Sequence, residues 1–270
     1  MNYPIIDCHC HVYPDKIADK AVESIRSFYD IDMGYDGRAS TLIKEGNKNG
    51  VKHFIVFSVA TTPKQVQAIN SFIARTVDES GGAMTGLGSL HPDSENIEED
   101  YIHLKSLGLK GVKLHPDFQK IAIDDERCRE IYELCRGELP VLLHTGDYRY
   151  DYSNPDRLVR ILNEYPDLTV IGAHFGGWSV WDEAVEKLAK YPNFYVDCSS
   201  SLYDMTSDKA KKIIRAYGVD RVVFGTDFPM WIYEKELERF AGINLTDEET
   251  RKILYGNAVK LFGIDENKIL

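Results

Sequence analysis

The stretch Ile5–His11, IIDCHCH, stands near the head of the chain and alternates two cysteines with two histidines behind an apolar pair. Side chains alternate across a β-strand, so Asp7, His9 and His11 are expected on one face and Cys8 and Cys10 on the other. The two pairs then cannot share one metal ion, and the reading turns on which face looks into a site. Five cysteines are an odd number in a chain too long to need stapling. They fit reduced, packed thiols better than a disulfide framework or a soft-metal site.

Working outward, seven further short apolar runs repeat the pattern: 51–60 (VKHFIVFSVA), 83–92 (AMTGLGSLHP), 110–116 (KGVKLHP), 140–147 (PVLLHTGD), 168–177 (LTVIGAHFGG), 193–200 (NFYVDCSS) and 221–229 (RVVFGTDFP). Each is β-branched or aromatic and bounded by Gly, Pro or Asp, as buried parallel strands are. Charged helical patterns separate them, at 124–138, 154–166, 181–192 and 246–262. Asn154 before Pro155 reads as an N-cap with Pro in the first helical position. Thr246 and Glu249 have capping-box spacing. Eight strands alternating with helices predict an α/β fold of the (β/α)8 TIM-barrel type. A doubly wound sheet would have fewer strands and a Gly-rich first turn, which is absent. One domain is expected over 1–270, with an extra helical insertion at about 13–50 after the first strand.

Composition narrows the function. At 270 residues and 43% hydrophobic, the chain has ample length for a large core. Its 32 basic and 43 acidic side chains leave a net charge of −11, which argues against a nucleic-acid partner held through phosphates. No apolar run approaches the ~18 residues of a membrane span. The N-terminus lacks a basic, apolar leader, so a cytoplasmic location is expected. The expected partner is a small-molecule substrate.

The histidines carry the strongest signal. Barrel enzymes place their active sites at the C-terminal ends of the strands. Six of the eight histidines fall there: His9, His11, His91, His115, His144 and His174. Strand ends make up roughly a tenth of a barrel, so about one would land there by chance. The parity argument then turns His9 and His11 inward and the cysteines toward the outer helices. Two imidazoles at i and i+2 begin a metal site, and His144 and Asp227, at the ends of the fifth and eighth strands, are in place to extend it. Asp7 lies deeper and is expected to be structural. His91 is the weakest of the histidine candidates.

The motifs DCHCH, LLHTG, GAHFGG, FGTDFP and GNAVKLFG resemble the amidohydrolase superfamily, and most of all its amidohydrolase-related branch. That branch includes aminocarboxymuconate-semialdehyde and resorcylate decarboxylases. The resemblance runs from residue 5 to about 263 and implies a distorted barrel with one divalent metal ion, zinc being the expected one. Carried over, His9, His11, His144 and Asp227 match its metal ligands, and His174 matches the catalytic histidine beside the metal. In two-metal members a lysine of the fourth strand is carbamylated. Lys113 has that place, but a free ammonium that binds an anionic substrate or pairs with a carboxylate is the preferred reading. His115 and Arg149 are further substrate-binding candidates, Arg149 as a bidentate clamp for a carboxylate.

Two activities share this ligand set. The first expectation is a metal-dependent hydrolase of a small amide, ester or lactone, working through metal-activated water. The alternative is a non-hydrolytic decarboxylase of a small unsaturated or aromatic carboxylate. A metal-binding barrel without turnover ranks third. The family resemblance also allows a homodimer.

Overall fold

The computed structural model describes residues 3–269. It contains nine strand segments: β1 (Ile5–His11), β2 (Val51–Phe57), β3 (Met84–Gly86), β4 (Gly88–Ser89), β5 (Val112–Leu114), β6 (Val141–Leu143), β7 (Val170–Gly172), β8 (Phe194–Asp197) and β9 (Val222–Val223). β3 and β4 are halves of one stave interrupted at Leu87, so the nine segments make the eight staves read from the sequence. Neighbours pair in parallel and in chain order. Across the interruption, Leu87 N donates to Val56 O at 2.9 Å. The ring closes where Cys8 N donates to Phe224 O (2.8 Å) and His11 N to Phe228 O (2.7 Å). This is the (β/α)8 barrel.

Alternation along each stave divides the core in two. In β6, Leu142 points inward, packing with Ile6, Ile55, Phe57, Leu87, Ile171 and Val223. Its neighbours Val141 and Leu143 join the larger layer between the staves and the helices. Tyr255, Ala258 and Phe262, from the C-terminal helical segment, belong to the inner cluster. That segment starts with the reciprocal Thr246–Glu249 box and is broken by a π-turn at Lys252–Gly256. The Asn154 cap is also present, its side chain accepting from Arg157 N.

Strict alternation fails in β1, and this corrects the parity reading. Asp7 pairs with Phe54 but Cys10 with Val56, so three steps on β1 match two on β2. The extra residue is a bulge, which turns the following side chains onto the other face. Cys8 therefore packs in the inner cluster and Cys10 in the outer one. His9 and His11 still reach the mouth of the barrel. All five cysteines are buried free thiols.

The predicted insertion after β1 carries two helices, Ala18–Tyr29 and Ala39–Lys48. The first ends over the barrel mouth, where Tyr29 Oη lies 3.0 Å from His115 Nε2. No helix among the described residues is long and apolar enough to cross a membrane.

Candidate active site

At the mouth, β1 and the segment after β9 bring three donors together. His9 Nε2 and His11 Nε2 are 3.3 Å apart, and Asp227 Oδ1 lies 3.3 Å from the first and 3.5 Å from the second. Burial pushes both imidazoles well below the ordinary histidine pKa, with Lys113 adding to the effect on His9 and His9 on His11. They are neutral at pH 7. Asp197 Oδ2 accepts from His9 Nδ1 at 2.8 Å, which leaves a lone pair on His9 Nε2 facing the Asp227 carboxylate. Lone pairs converging in a dry place call for a cation. Ligands at 2.0–2.2 Å around a tetrahedral zinc stand roughly 3.3–3.6 Å apart, so the observed spacings fit an ion of that size.

The frame around this trio is tight. Besides His9, Asp197 accepts from His174 N (3.1 Å), Ser199 N (3.0 Å) and the Ser199 hydroxyl. Asp227 Oδ2 accepts from Ser200 Oγ at 2.5 Å. His174, Ser200 and Asp227 have φ of +58°, +44° and +59°, in the left-handed region where a non-glycine residue costs on the order of 1–3 kcal/mol. Strain at three mouth residues means that the packing behind them overrides local preference. Gly225 shows how close that packing is, since a Cβ there would lie 2.8 Å from His9 Cβ.

The facing wall comes from β5 and β6. His174 Nδ1 lies 3.1 Å from Ser199 O, which only accepts, so the proton sits on Nδ1 and Nε2 is an acceptor. His144 Nδ1–H then donates to His174 Nε2 at 3.0 Å, leaving His144 Nε2 a bare lone pair 3.3 Å from Asp117 Oδ2. That contact is out of line for a hydrogen bond, and neither Asp117 carboxylate oxygen has a partner. Burial first, and Asp147 second, push the Asp117 carboxyl up to about 7. His174 falls to about 4, mainly through burial.

His115, Asp117 and His144 bring three potential ligand atoms within 4.8 Å of one another. The imidazoles of His115 and His144 nonetheless stack at 4.1 Å and 7°. Parallel rings cannot both aim in-plane lone pairs at one ion, so we read this trio as a proton-holding cluster.

The structure thus sorts the expected residues. His9, His11 and Asp227 meet. His144 lines the same cavity as His11, His115, His174 and Asp227, but its ring nitrogens are turned to His174 and Asp117. Lys113 is fully buried one layer down, its Nζ unpartnered and 5.1 Å from the Phe57 ring centre. Desolvation lowers it to about 8. Arg149 departs from expectation. Its Nε and Nη2 hold Asp147 at 2.9 and 2.7 Å, and its Nη1 donates to Phe28 O at 2.8 Å. The fork meant for a substrate carboxylate is filled by a neighbour two residues away, and the side chain ties the inserted helix to the rim. His91 Nδ1 accepts from Asp93 N at 3.1 Å, and the residue does not line the cavity. Asp7 is structural as expected, bound by Thr226 and Tyr233.

Sequence reasoning missed Asp197, Asp117, Ser200 and Tyr29. Asp197 was within reach, because it ends the run FYVD as His144 ends its own. The cavity itself is small, about 20 Å³, room for a water or so, and is walled by Ile25, Tyr29, Phe118 and Met230 among others.

Comparison with known proteins bears on the family and the fold. The family model described as amidohydrolase matches residues 6–264. A gamma-resorcylate decarboxylase of Polaromonas sp. strain JS666 is 27% identical over 124 residues, covering 39% of this chain and 37% of that protein. The match thus spans little more than a third of that relative's length. Among solved structures, a TIM-barrel protein of Bordetella bronchiseptica superposes with a TM-score of 0.81 at 21% identity, over 97% of this chain and 99% of that one. The 5-carboxyvanillate decarboxylase of Sphingomonas paucimobilis gives 0.74 at 16%, over 97% and 99%. A dihydroxybenzoic acid decarboxylase of Polaromonas sp. JS666, with bound manganese and the inhibitor 2-nitroresorcinol, gives 0.74 at 16%, over 100% and 99%. At these identities the structural likenesses speak for the fold, and the family match runs from the bulged first strand to the closing helix. The chain belongs to the amidohydrolase superfamily, in its amidohydrolase-related branch.

Proposed function

We propose that the protein decarboxylates a small aromatic or unsaturated carboxylate. The observation that carries this is Lys113: a fully buried ammonium without a partner, close enough to His9, Asp197 and Asp227 for their charges to act on one another. With its pKa at about 8, it remains a cation at neutral pH and offsets the charge of a substrate carboxylate. Tyr29 and Phe118 line the cavity, and losing carbon dioxide consumes no water. The decarboxylases among the relatives support the same choice.

His9, His11 and Asp227 would hold the divalent ion. His144 would join them as a fourth ligand only by turning its ring away from Asp117. Zinc and manganese both suit a His–His–carboxylate set. When bound, the ion polarises a substrate oxygen and fixes the substrate's orientation. Breaking the carbon–carboxylate bond releases carbon dioxide and leaves an electron pair on carbon that must take a proton. Asp117, His144 and His174 form a line that holds a proton near neutrality: Asp117 titrates at about 7, and His144 keeps its hydrogen on Nδ1 toward His174 Nε2. Tyr29 and the Arg149 tie close the roof and exclude water from the reacting carbon.

Hydrolysis of a small amide, ester or lactone is the second reading. Asp227 favours it, as a carboxylate beside the ligand imidazoles that is able to take a proton from water. The deciding experiment incubates the metal-loaded enzyme in ¹⁸O-water with hydroxybenzoates and related unsaturated acids and, in parallel, with small amides, esters and lactones. Carbon dioxide release with no label in the organic product is expected. Label in a newly formed acid, without carbon dioxide, would turn the assignment to hydrolysis.

A further inference from the structure

Asp227 is the one carboxylate in the ligand trio, and a side-chain chain behind it decides which of its oxygens is available. Trp231 Nε1 lies 2.8 Å from Ser200 Oγ, and an indole N–H only donates. That donation occupies a lone pair of the hydroxyl and steers its single hydrogen the other way. Asp227 Oδ2, at 2.5 Å, receives it. The remaining neighbour, Met230 Sδ at 3.4 Å, is a far weaker acceptor. The polarity is therefore fixed from indole to hydroxyl to carboxylate.

The indole is itself held from behind. Its ring stacks on Tyr203 with centroids 4.5 Å apart, and the Arg239 guanidinium lies 5.2 Å from its centroid. Arg239 pairs with Glu236, a carboxylate almost wholly buried. Ser200 adopts its left-handed φ of +44° while making both contacts. A serine carries no intrinsic preference for that conformation, so surrounding interactions keep it there.

We propose that Ser200, held by Trp231, is a positioning residue that sets how Asp227 presents itself to the metal. With Oδ2 engaged by the hydroxyl, Oδ1 alone faces His9 Nε2 and His11 Nε2, and the carboxylate serves as a one-oxygen ligand. Without the hydroxyl, Oδ2 is released, the carboxylate rotates, and both oxygens compete for the ion and for the coordination positions that substrate needs. The indole N–H of Trp231 reaches the trio only through Ser200. The inference concerns metal binding and holds whether the site decarboxylates or hydrolyses.

The test is a double-substitution cycle read on manganese binding. Ser200→Ala, Trp231→Phe and the double variant are prepared as full-length protein, and Mn²⁺ affinity and paramagnetic resonance spectra are recorded for each. Trp231→Phe keeps an aromatic ring beside Tyr203 and removes the donor. The expected result is about a tenfold loss of affinity in Ser200→Ala, as when outer partners of metal ligands are removed elsewhere. A smaller loss is expected in Trp231→Phe, with no further loss when it is added to Ser200→Ala. The manganese spectrum should change alike in Ser200→Ala and the double variant, and Ser200→Thr, which restores a hydroxyl, should recover most of the affinity. Independent, additive losses from the two substitutions would overturn the relay. Unchanged affinity and spectrum in a folded Ser200→Ala protein would overturn the proposal outright. Circular dichroism establishes folding, and should Ser200→Ala fail to fold, Trp231→Phe against Ser200→Thr decides on the same readouts.

Discussion

The two walls of the cavity are built on opposite plans. On the β1–β9 side nearly every polar atom is spoken for: Asp197 holds His9, Ser200 holds Asp227, and Thr226 and Tyr233 hold Asp7. What stays free there is a convergent set of lone pairs. On the β5–β6 side, Lys113 Nζ, His115 Nδ1, both Asp117 carboxylate oxygens and His144 Nε2 are buried without partners. Unpaired buried polar atoms cost free energy, so a protein keeps them where something else completes them. The first wall is organised in advance for a cation. On the proposed reading, the second takes the substrate and a proton.

Substitutions should separate the walls. The largest effect is expected from His11→Ala, which removes a ligand from the organised wall. Bound metal should fall from about one equivalent to near none, and turnover by about a thousandfold or more, since the ion's charge stabilisation is worth several kcal/mol. Elemental analysis of dialysed protein checks it, and full metal retention would mean that the trio is not the site. Next comes Asp117→Asn on the second wall. We expect about a hundredfold loss of turnover with metal content unchanged, and loss of the inflection near pH 7 in the pH–rate profile. An inflection that survives would assign the titrating proton elsewhere.

Asp197→Asn is expected to weaken metal binding by about 10–100-fold by loosening the His9 ring, measured by competition with a chromogenic chelator. The smallest effect concerns stability alone. In the metal-free protein, Lys113 loses its proton at about 8, whereas an ordinary lysine keeps it to 10.5. Between those values the unfolded chain binds more protons, so stability should rise with pH across that window, by up to roughly 3 kcal/mol. Lys113→Met should flatten the rise and increase stability near pH 7. Denaturant titrations at pH 7.5 and 9.5 read both, and an unchanged slope in the variant would refute the unpaired charge.

Much of the organised wall could be read in the chain. Short β-branched runs fix the staves, and a barrel must put its site where they end, so His9, His11 and Asp227 were legible from position alone. Asp197 obeyed the same rule and was overlooked. The second wall was less readable. Asp117 lies beyond β5 in a short helical turn, and only folding sets it beside His144. Arg149 misled for a related reason: a guanidinium near a site suggests an anion, yet its partner was Asp147, two residues away.

By itself, then, the sequence determined the barrel, its eight staves, the caps of its helices and the row of histidines at its mouth. These follow from periodicity and turn chemistry, which are local. Tertiary structure alone decided three things. It set the bulge that parts Cys8 from Cys10, because register depends on how β1 meets β2. It set the tautomers of His9, His144 and His174, because each proton follows a partner remote in the chain. It also left Lys113 and Asp117 unpaired, because burial and the absence of a neighbour are properties of the packed molecule.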